Sequence, residues 1–387
     1  MLYAQVIFWS SAFLIIYPYI GYVGVLWLLS HFKRPCIASM IAHPRYKVTL
    51  LISAYNEEAA IEKKLLNSLA LQYPQDLLEI VVVSDDSTDK TCDIVSRYAA
   101  MGVKLRHYEG RIGKTACLNR AVPLAVGEII VFSDANANYH PNAIGELVRF
   151  FDDSKVGFVT GTTRYVASGG DRTETAADSM SLYSKLQHLI KDLESQVGSC
   201  IGADGAIFAI RKAFYEELCQ TDINDLVLPL KIIERGAVGR LAPGAFCTES
   251  AFGSPEAQFR RQVRIANRTI RALMKNLELA NPFKFGLISF ELISNKVLRM
   301  LCPIAMAALF FSNLVLINQH WFYTLTFLVQ TGIYSMIWLM NRGARTWGLS
   351  HFFSVAQTFT FVNLAIGLGW IQYLRGEIYS YWSPIRK

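Results

Sequence analysis

The chain has 387 residues, of which 52% are hydrophobic and only 18% are charged. This balance excludes an ordinary soluble enzyme, in which about a quarter of the residues are charged. A formal net charge of +7 would fit a nucleic-acid partner, but the segment from 260 to 275 carries six basic and no acidic residues, and other basic residues stand at the ends of apolar segments. Anionic lipid headgroups or a phosphorylated substrate explain them more simply, so no nucleic-acid partner is expected.

The first apolar segment runs from Gln5 to Ser30 without a charged residue. It is longer than the roughly 20 helical residues that cross a bilayer, which predicts a transmembrane helix within residues 1–34. A cleaved signal peptide is the alternative, but no basic region precedes the apolar run and no small-residue cleavage site follows it. Lys33 and Arg34 favour the cytoplasmic side. We therefore expect an integral protein of the cell's inner or plasma membrane, with the next domain in the cytoplasm.

Residues 45–280 have the composition of a globular domain, and their first half alternates apolar runs with helical patterns. The strands are predicted at 48–54, 80–83, 103–108 and 128–133. Alternation of strands and helices is typical of a mainly parallel sheet, so we predict an α/β, Rossmann-like nucleotide-binding domain.

Polar clusters follow three of these strands directly, at residues 55–58, 85–89 and 134–136. Ligands of such sheets bind in the crevice beyond the carboxyl ends of the strands. We therefore expect three loops that are distant in sequence to converge on one pocket. Solvated turns would explain each cluster singly but not the repeated placement.

The C-terminal third, residues 281–374, contains three further apolar runs, near 297–317, 321–340 and 352–373. Three more transmembrane helices are predicted here, followed by a tail at 375–387. The second connection carries Arg342 and Arg345, whereas the first carries no Lys or Arg, so the second is expected in the cytoplasm. The amphiphilic stretch 281–293 is predicted either to span the bilayer or to lie in its interface, and both alternatives stay open.

Seven short motifs occur in the order that they have in family 2 glycosyltransferases. They are AYNEE (54–58), SDDSTDKT (84–91), GKTACLN (113–119), SDAN (133–136), GADGAIFAIR (202–211), NDLVLP (224–229) and FRRQVRI (259–265). The set resembles the membrane-embedded polysaccharide synthases, the group that includes cellulose, chitin, hyaluronan and poly-N-acetylglucosamine synthases, over nearly the whole chain. The resemblance implies a GT-A fold and an inverting hexosyltransferase that uses a UDP-sugar. It also implies UDP-N-acetylglucosamine or UDP-glucose as donor, and polysaccharide biosynthesis at the membrane.

The resemblance assigns a donor site to five side chains. Tyr55 and Glu57 with Asp86 would hold the uracil and ribose, with Asp85 as the alternative to Asp86, and Lys114 would approach the diphosphate. Carboxylates accept hydrogen bonds from base N–H groups and ribose hydroxyls, and an ammonium offsets phosphate charge. A solvated loop lysine is the alternative for Lys114.

Asp134 and Asn136 occupy the D-x-D position, where the family holds a divalent cation on the donor diphosphate. The resemblance therefore implies Mg²⁺ or Mn²⁺ as cofactor. Asn136 supplies an amide oxygen in place of a second carboxylate, which makes a weaker oxygen set. A capped turn before Pro141 is the alternative.

Asp225 matches the position of the family's general base, which takes the proton from the acceptor hydroxyl. Asp222 is the nearby competitor, and helix capping is the alternative role for Asp225. The segment from 202 to 211 resembles the part that contacts the acceptor sugar, where glycines let the backbone approach a ring. Gly202, Asp204 and Gly205 are its predicted acceptor-binding residues.

The motif at 259–265 matches the family's Q-x-x-R-W only in part. Arg264 matches the arginine, which would contact the donor diphosphate, but Arg261 stands at the glutamine and Ile265 at the tryptophan. A second register over 258–262 keeps glutamine and arginine but still lacks the aromatic residue. The missing ring leaves processivity open.

Three functions therefore stay in competition. The first is processive extension of a polysaccharide, and the second is a single transfer to a lipid-linked acceptor. The third is a catalytically inactive membrane scaffold that senses a nucleotide-sugar. Four spans are few for a polymer channel, so a partner subunit or a homo-oligomer is an expected partner alongside the donor, the acceptor and the bilayer.

Overall fold

The computed structural model describes residues 1–33, 46–166, 174–250, 255–340 and 350–379. Arg34, the connection with Arg342 and Arg345, and residues 380–387 of the predicted tail lie outside these ranges. The strands are β1 (Val48–Ala54), β2 (Leu78–Asp85), β3 (Val103–Tyr108), β4 (Ile129–Asp134), β5 (Asn138–Tyr139), β6 (Val156–Val166), β7 (Ile207–Arg211) and β8 (Val238–Ser250).

Fourteen α-helices lie within the described residues. They are α1 (Leu2–Ile16), α2 (Tyr22–Ser30), α3 (Ile61–Leu69), α4 (Thr91–Arg97), α5 (Lys114–Ala121), α6 (Ala143–Val148), α7 (Glu174–Val197), α8 (Asn224–Glu234), α9 (Pro255–Lys275), α10 (Pro282–Phe285), α11 (Leu287–Leu292), α12 (Leu298–Leu316), α13 (Trp321–Met340) and α14 (Ser350–Leu374).

One eight-stranded sheet, in the order β3-β2-β1-β4-β7-β6-β8-β5, organises the domain between the apolar ends. β3, β2, β1 and β4 are mutually parallel, and β8 runs parallel to β6. The predicted mainly parallel α/β sheet is confirmed. β7 pairs antiparallel with both β4 and β6, and β5 pairs antiparallel with β8. The antiparallel strands extend the sheet beyond the half that strand–helix alternation predicts.

β1 lies inside the sheet, and all seven of its residues are buried. Alternate residues of a strand point to opposite faces. Accordingly, Leu50 and Ile52 join the apolar core on one face, whereas Leu51 joins the core on the other. A strand covered on both faces needs a continuous apolar run, which explains the sequence VTLLISA.

β2 is longer at both ends than the sequence predicts. Leu78 and Glu79 pair with the start of β1, and Asp85 pairs with Tyr108 of β3. Glu79 is retained in the strand because its carboxylate accepts a hydrogen bond from Thr49 Oγ1 at 2.6 Å and pairs with Lys104.

The loop after β4 is held in place by side chains of α3 and by the hydroxyl of Tyr139. Lys64, which is fully buried, donates to the backbone oxygen of Ala137 at 2.5 Å. Asn67 hydrogen-bonds both the N–H and the carbonyl of Tyr139, at 2.7 and 2.8 Å. The Tyr139 hydroxyl lies 2.9 Å from the carbonyl oxygen of Phe132 and 3.0 Å from that of Ala206. These contacts tie α3, β4, β5 and the start of β7 together.

Two helices of the described residues are long and apolar enough to cross a membrane. They are Leu2–Ser30, with 29 residues, and Leu287–Leu316, with 30 residues. Large apolar side chains such as Trp9, Phe13 and Phe311 are exposed on them, unlike those of a core helix in a soluble protein. Each helix contains one π-helical turn, Tyr17–Gly21 in the first and Ile293–Val297 in the second.

The last helix, α14, packs on α9. Phe361 of α14 makes an edge contact with Phe259 of α9 at a centroid distance of 5.0 Å. Gly369 approaches α9 so closely that a Cβ atom there would lie 2.8 Å from the Cβ of Ala266. α9, which carries the predicted basic segment, is thereby held between the sheet domain and the apolar helices.

We predict that Tyr139→Phe destabilises the domain by about 1–3 kcal/mol, because the buried carbonyls of Phe132 and Ala206 then lack their donor. Thermal unfolding of the purified protein, followed by circular dichroism, measures the change. Tyr98→Phe is the matched control, since that phenol donates only to Glu62 at the surface, and it is expected to change stability by less than about 0.5 kcal/mol. Equal unfolding temperatures for the two variants would contradict the anchoring role of Tyr139.

Candidate functional site

The carboxyl ends of three parallel strands bring the predicted polar loops to one edge of the sheet. Ala54 of β1 pairs with Ser84 of β2, and Ser53 pairs with Asp134 of β4. The loops at 55–58, 85–89 and 134–136 therefore start at the same level of the sheet.

The first two loops are joined by hydrogen bonds. Asn56 accepts from the backbone N–H of Thr88 at 2.7 Å, and its own N–H donates to Ser87 Oγ at 3.1 Å. Asn56 and Asp86 both adopt positive φ angles, of 51° and 56°. Non-glycine residues in this conformation cost of order 1–3 kcal/mol and cluster at functional sites.

Asp85 and Asp86 have different surroundings, although they are neighbours. Asp85 is 3% exposed, and its carboxylate accepts from the Gly113 N–H at 3.0 Å. The side chain of Asp86 is 36% exposed, accepts from the Gly110 N–H at 3.0 Å and lies 3.7 Å from His107 Nε2. Asp85 thus holds the loop before α5, and Asp86 is the carboxylate that a ligand can reach.

Arg111 stacks on Tyr55, a contact that the sequence does not predict. Its guanidinium carbon lies 3.3 Å from the ring centroid of Tyr55, and its Nε lies 3.9 Å from Asp85. This stack covers one face of the Tyr55 ring. In the sequence, the only local sign of this contact is an arginine that stands near glycines in the loop before α5.

Lys114 and Asp134 form a close ion pair at the centre of the edge. Lys114 Nζ lies 2.6 Å from Asp134 Oδ1, and the two side chains are 14% and 20% exposed. Glu57 faces the same carboxylate: burial first, and then the charges of Asp134 and Asp89, raise the pKa of Glu57 to about 7.

The residues at the D-x-D position fit a divalent cation only together with a diphosphate. Asp134 offers one carboxylate, and Asn136 is exposed and offers an amide oxygen. Within the described ranges, no group of three or more His, Cys, Asp or Glu side chains could hold a metal ion. Mg²⁺ is commonly bound by one or two carboxylates plus substrate phosphates and water, and this donor set matches that pattern.

Asp225 lies in the first turn of α8 and faces the same cavity. Burial raises the pKa of Asp225, Lys114 opposes the shift, and Asp204 and Asp134 reinforce it. Gly205 lies directly against this carboxylate, since a Cβ atom there would stand 2.8 Å from Asp225 Oδ2. Asp225, Asp134 and Lys114 are therefore close enough to interact across one pocket.

Asp222, the predicted competitor, is engaged elsewhere. It is buried, accepts from the Cys219 N–H at 2.9 Å and pairs with Lys275 at 3.2 Å. Its carbonyl also accepts from Arg268. These contacts give Asp222 a role in holding α9 against the loop before α8.

The predicted acceptor segment adopts a tight loop beside Asp225. Asp204 Oδ1 accepts from Thr163 Oγ1 at 2.8 Å, and its Oδ2 accepts from the Thr163 N–H at 2.9 Å. Ala203 N–H donates to the Asp225 carbonyl at 2.8 Å. Asp204 therefore fixes the loop to β6, and Gly202 and Gly205 keep it close to Asp225.

Arg264 stands on α9 between two other arginines. Arg261, Arg264 and Arg268 are spaced three and four residues apart, so they share one face of the helix. Burial, together with the charges of Arg261 and Arg268, lowers the pKa of Arg264 to about 10. An anion bound on this face would relieve the repulsion among the three cations.

Two further charged groups near the site were not predicted. Glu249 in β8 is 4% exposed; burial first, and then the charge of Asp134, raise its pKa to about 7. The pKa of Lys64 is lowered to about 7 by burial beneath the loop that carries Asp134. Both could have been predicted from the sequence, because each is a charged residue at a position that faces the core: Glu249 in a strand and Lys64 on the apolar face of a helix.

Residues 49–218 match the sequence profile described as Glycosyl transferase family 2. A β-monoglucosyldiacylglycerol synthase from Nostoc sp. is 30% identical over 167 residues, which cover 40% of this chain and 36% of that protein. The probable glycosyltransferase YdaM of Bacillus subtilis is 28% identical over 262 residues, 64% of this chain and 60% of that one. The chain thus spans between about a third and three fifths of the length of these curated relatives.

Among solved structures, the mannosyltransferase PcManGT from Pyrobaculum calidifontis, in complex with GDP-Man and Mn²⁺, superposes with a TM-score of 0.74. The match covers 97% of this chain and 99% of that one at 20% sequence identity, which supports a shared fold. The sheet order, the polar edge and the profile match agree. Residues 49–218 of this chain therefore match the family 2 glycosyltransferase profile, and the domain that contains them has the GT-A fold.

Proposed function

We propose that the protein is an inverting glycosyltransferase that uses a UDP-sugar, with UDP-N-acetylglucosamine or UDP-glucose as donor, to extend a membrane-associated glycan. The observation that carries this proposal is the placement of Asp225 across one pocket from the Lys114–Asp134 pair. A base for the acceptor hydroxyl and a cation for the departing diphosphate are the two groups that the reaction requires.

Asp225 acts as the general base. Its carboxylate takes the proton from the acceptor hydroxyl as that oxygen attacks the anomeric carbon. The bond from this carbon to the UDP oxygen breaks on the opposite face, so an α-linked donor gives a β-linked product. Burial makes Asp225 a stronger base than an exposed carboxylate. The name of the Nostoc relative, a β-monoglucosyldiacylglycerol synthase, also specifies a β-linked product.

The donor lies along the carboxyl edge. Tyr55, Glu57 and Asp86 hold the base and ribose, and Arg111 leaves the ring of Tyr55 when the base binds. Lys114 exchanges part of its contact with Asp134 for the diphosphate, and Arg264 approaches from α9. Both cations offset phosphate charge.

Asp134 and Asn136 would hold Mg²⁺ or Mn²⁺ on the donor diphosphate. The ion supplies positive charge that offsets the charge on the leaving UDP. Asp134 is oriented for this role by its strand register and by the loop that Lys64 and Tyr139 support.

The chain inserts in the membrane through its apolar helices, with the GT-A domain in the cytoplasm. The exposed apolar surface of Leu2–Ser30 and Leu287–Leu316 supports insertion, and Lys33 at the end of the first helix supports this orientation.

Single transfer to a lipid-linked acceptor is the second candidate. Ile265 in place of the family's tryptophan favours it, and so does the name of the Nostoc relative, whose product is a glucosylated diacylglycerol.

We expect UDP release when the purified full chain, in lipid nanodiscs with Mn²⁺, is given UDP-N-acetylglucosamine or UDP-glucose, and no release of GDP from GDP-mannose. Chelation of the metal should stop the release. Mass spectrometry of the products measures chain length, and a ladder of several sugars supports extension whereas one added sugar supports single transfer. Activity with GDP-mannose alone would contradict the proposed donor class.

We predict that Asp225→Asn lowers kcat by about 100- to 10,000-fold, because the amide cannot accept the proton. The donor KM is expected to change little, since Asp225 acts on the acceptor. Asp222→Asn is the matched comparison and should retain most of the activity after correction for folded protein. Loss of kcat in the Asp222 variant but not in the Asp225 variant would reverse the assignment.

The raised pKa of Asp225 predicts the pH dependence of kcat. The carboxylate must be deprotonated to act, so kcat falls as the pH drops through this raised pKa, above the value of about 3.9 for a free aspartate. The pH dependence of kcat at saturating donor and acceptor reports the titration of Asp225 and not of Glu57, because the bound donor then covers Glu57. A kcat that stays level down to about pH 4 would contradict the buried base.

A further inference from the structure

The two long apolar helices meet the GT-A domain through a polar junction. Their π-helical turns, Tyr17–Gly21 and Ile293–Val297, lie side by side, and Tyr17 Oη is 3.1 Å from Ser294 Oγ. A π-helical turn inserts one residue into the helix and frequently marks a functional site. Here the second turn carries Ser294, Asn295 and Lys296, and Glu291 and Arg299 flank it on the same helix.

Glu194 of α7 lies at the centre of this junction and accepts three hydrogen bonds. Its Oε1 accepts from Tyr22 Oη at 2.8 Å and from Asn295 Nδ2 at 2.6 Å. Its Oε2 accepts from the Ile201 N–H at 3.4 Å. All three donors are neutral, and among the described residues no hydrogen bond or ion pair joins Glu194 directly to Lys296.

Lys296 reaches from the apolar helix to the acceptor loop. A Cβ atom built at Gly202 would lie 3.6 Å from Lys296 Nζ and 3.7 Å from the backbone oxygen of Asp225. The ammonium and the residue that carries the proposed base therefore border the same space. Lys296 makes no hydrogen bond or ion pair with any residue that the structure describes, and its side chain is half-buried.

The charges around Lys296 leave a positive surplus. Lys191 and Arg299 interact with it as like charges, and Glu194 and Asp225 as opposite charges. Three cations thus face two carboxylates, and Lys296 forms a direct ion pair with neither of them. An ammonium held away from bulk water without a partner is costly, and an anionic ligand removes that cost.

The junction lies at the end of an apolar helix, so an anionic ligand can reach it from the side of the bilayer. Phe283, at the start of α10, is 99% exposed, and the apolar helix that carries Lys296 begins at Leu287. An exposed phenylalanine on an interfacial helix inserts at the boundary between the headgroups and the acyl chains of a bilayer. A lipid headgroup can therefore reach Lys296 from the membrane side while the donor occupies the carboxyl edge of the sheet.

We propose that Lys296 binds the phosphate of a lipid acceptor whose headgroup hydroxyl is thereby presented to Asp225. This inference rests on the proposed glycosyl transfer, and it holds whether one sugar or several are added. The ligand chemistry is a hydroxyl-bearing head next to an anionic phosphate. A phospholipid with a polyol head and a sugar on a polyprenyl diphosphate both supply it.

The test compares Lys296→Met with wild type in phosphatidylcholine nanodiscs. The acceptors are phosphatidylglycerol, a polyprenyl diphosphate glucose, and the uncharged lipids diacylglycerol and monoglucosyl diacylglycerol. We expect wild type to prefer one of the two anionic acceptors, and the substitution to raise its KM about tenfold, as the loss of one charge-assisted hydrogen bond implies. Which anionic lipid responds identifies the source of the phosphate.

Two control variants separate binding from folding and from surface charge. Lys296→Arg keeps the charge and should restore most of the acceptor affinity. Lys284→Met removes an exposed lysine near the start of the same helix and should leave the acceptor KM unchanged. UDP affinity, measured by calorimetry, reports whether each variant is folded.

A direct binding measurement separates this inference from the proposed function. Native mass spectrometry without donor counts the anionic lipids retained, and Lys296→Met should lose one that wild type keeps. Equal retention by both proteins would overturn the inference, as would equal KM increases for charged and uncharged acceptors or a wild-type preference for uncharged ones. Absence of UDP release with every donor would instead contradict the proposed glycosyl transfer, while the lipid count still tests Lys296.

Discussion

The parallel pairing of β1 with β2 on one side and β4 on the other is the constraint on which the site depends. It aligns Ser53 with Asp134 and Ala54 with Ser84, so the chain leaves each strand at the same edge. Every later feature uses that alignment. The loops hydrogen-bond one another, Lys114 meets Asp134, and α8 places Asp225 over the same opening. A shift of one residue in the β1–β4 pairing would turn Asp134 to the other face of the sheet, and the same shift in the β1–β2 pairing would turn over the residues at the end of β2.

The site combines two regions of opposite charge. Around Asp134 lie Glu57, Glu249 and Asp225, whose protonation is favoured by burial and by mutual repulsion. On α9, Arg264 and its neighbours repel one another. A metal-bound diphosphate carries both signs, and it would relieve the strain on both sides. Under the proposed function, part of the binding energy of a donor comes from this preorganised imbalance.

Local patterns in the sequence were sufficient for the four parallel strands and for the loops that end them. Apolar runs such as VTLLISA and the acidic residues behind them are signals within one segment. β6, β7 and β8 were harder to predict because strands distant in sequence, some parallel and some antiparallel, pair with them. Contacts with a distant segment also decide which of Asp85 and Asp86 is accessible. Asp85 is buried against the N–H of Gly113, whereas Asp86 accepts from the N–H of Gly110 and stays accessible, and the local sequence does not distinguish the two. The stack of Arg111 on Tyr55 and the approach of Lys296 to Gly202 connect distant segments, and no spacing rule identifies them.

The contact between Gly205 and Asp225 limits how this scaffold can diversify. A side chain at position 205 would press on the carboxylate of Asp225, so this wall of the proposed acceptor site has little room to vary. Under the proposed function, differences in acceptor choice among related enzymes would therefore fall on the opposite side, toward Lys296. Exchanging only the sheet domain between homologues would then transfer donor choice without acceptor choice.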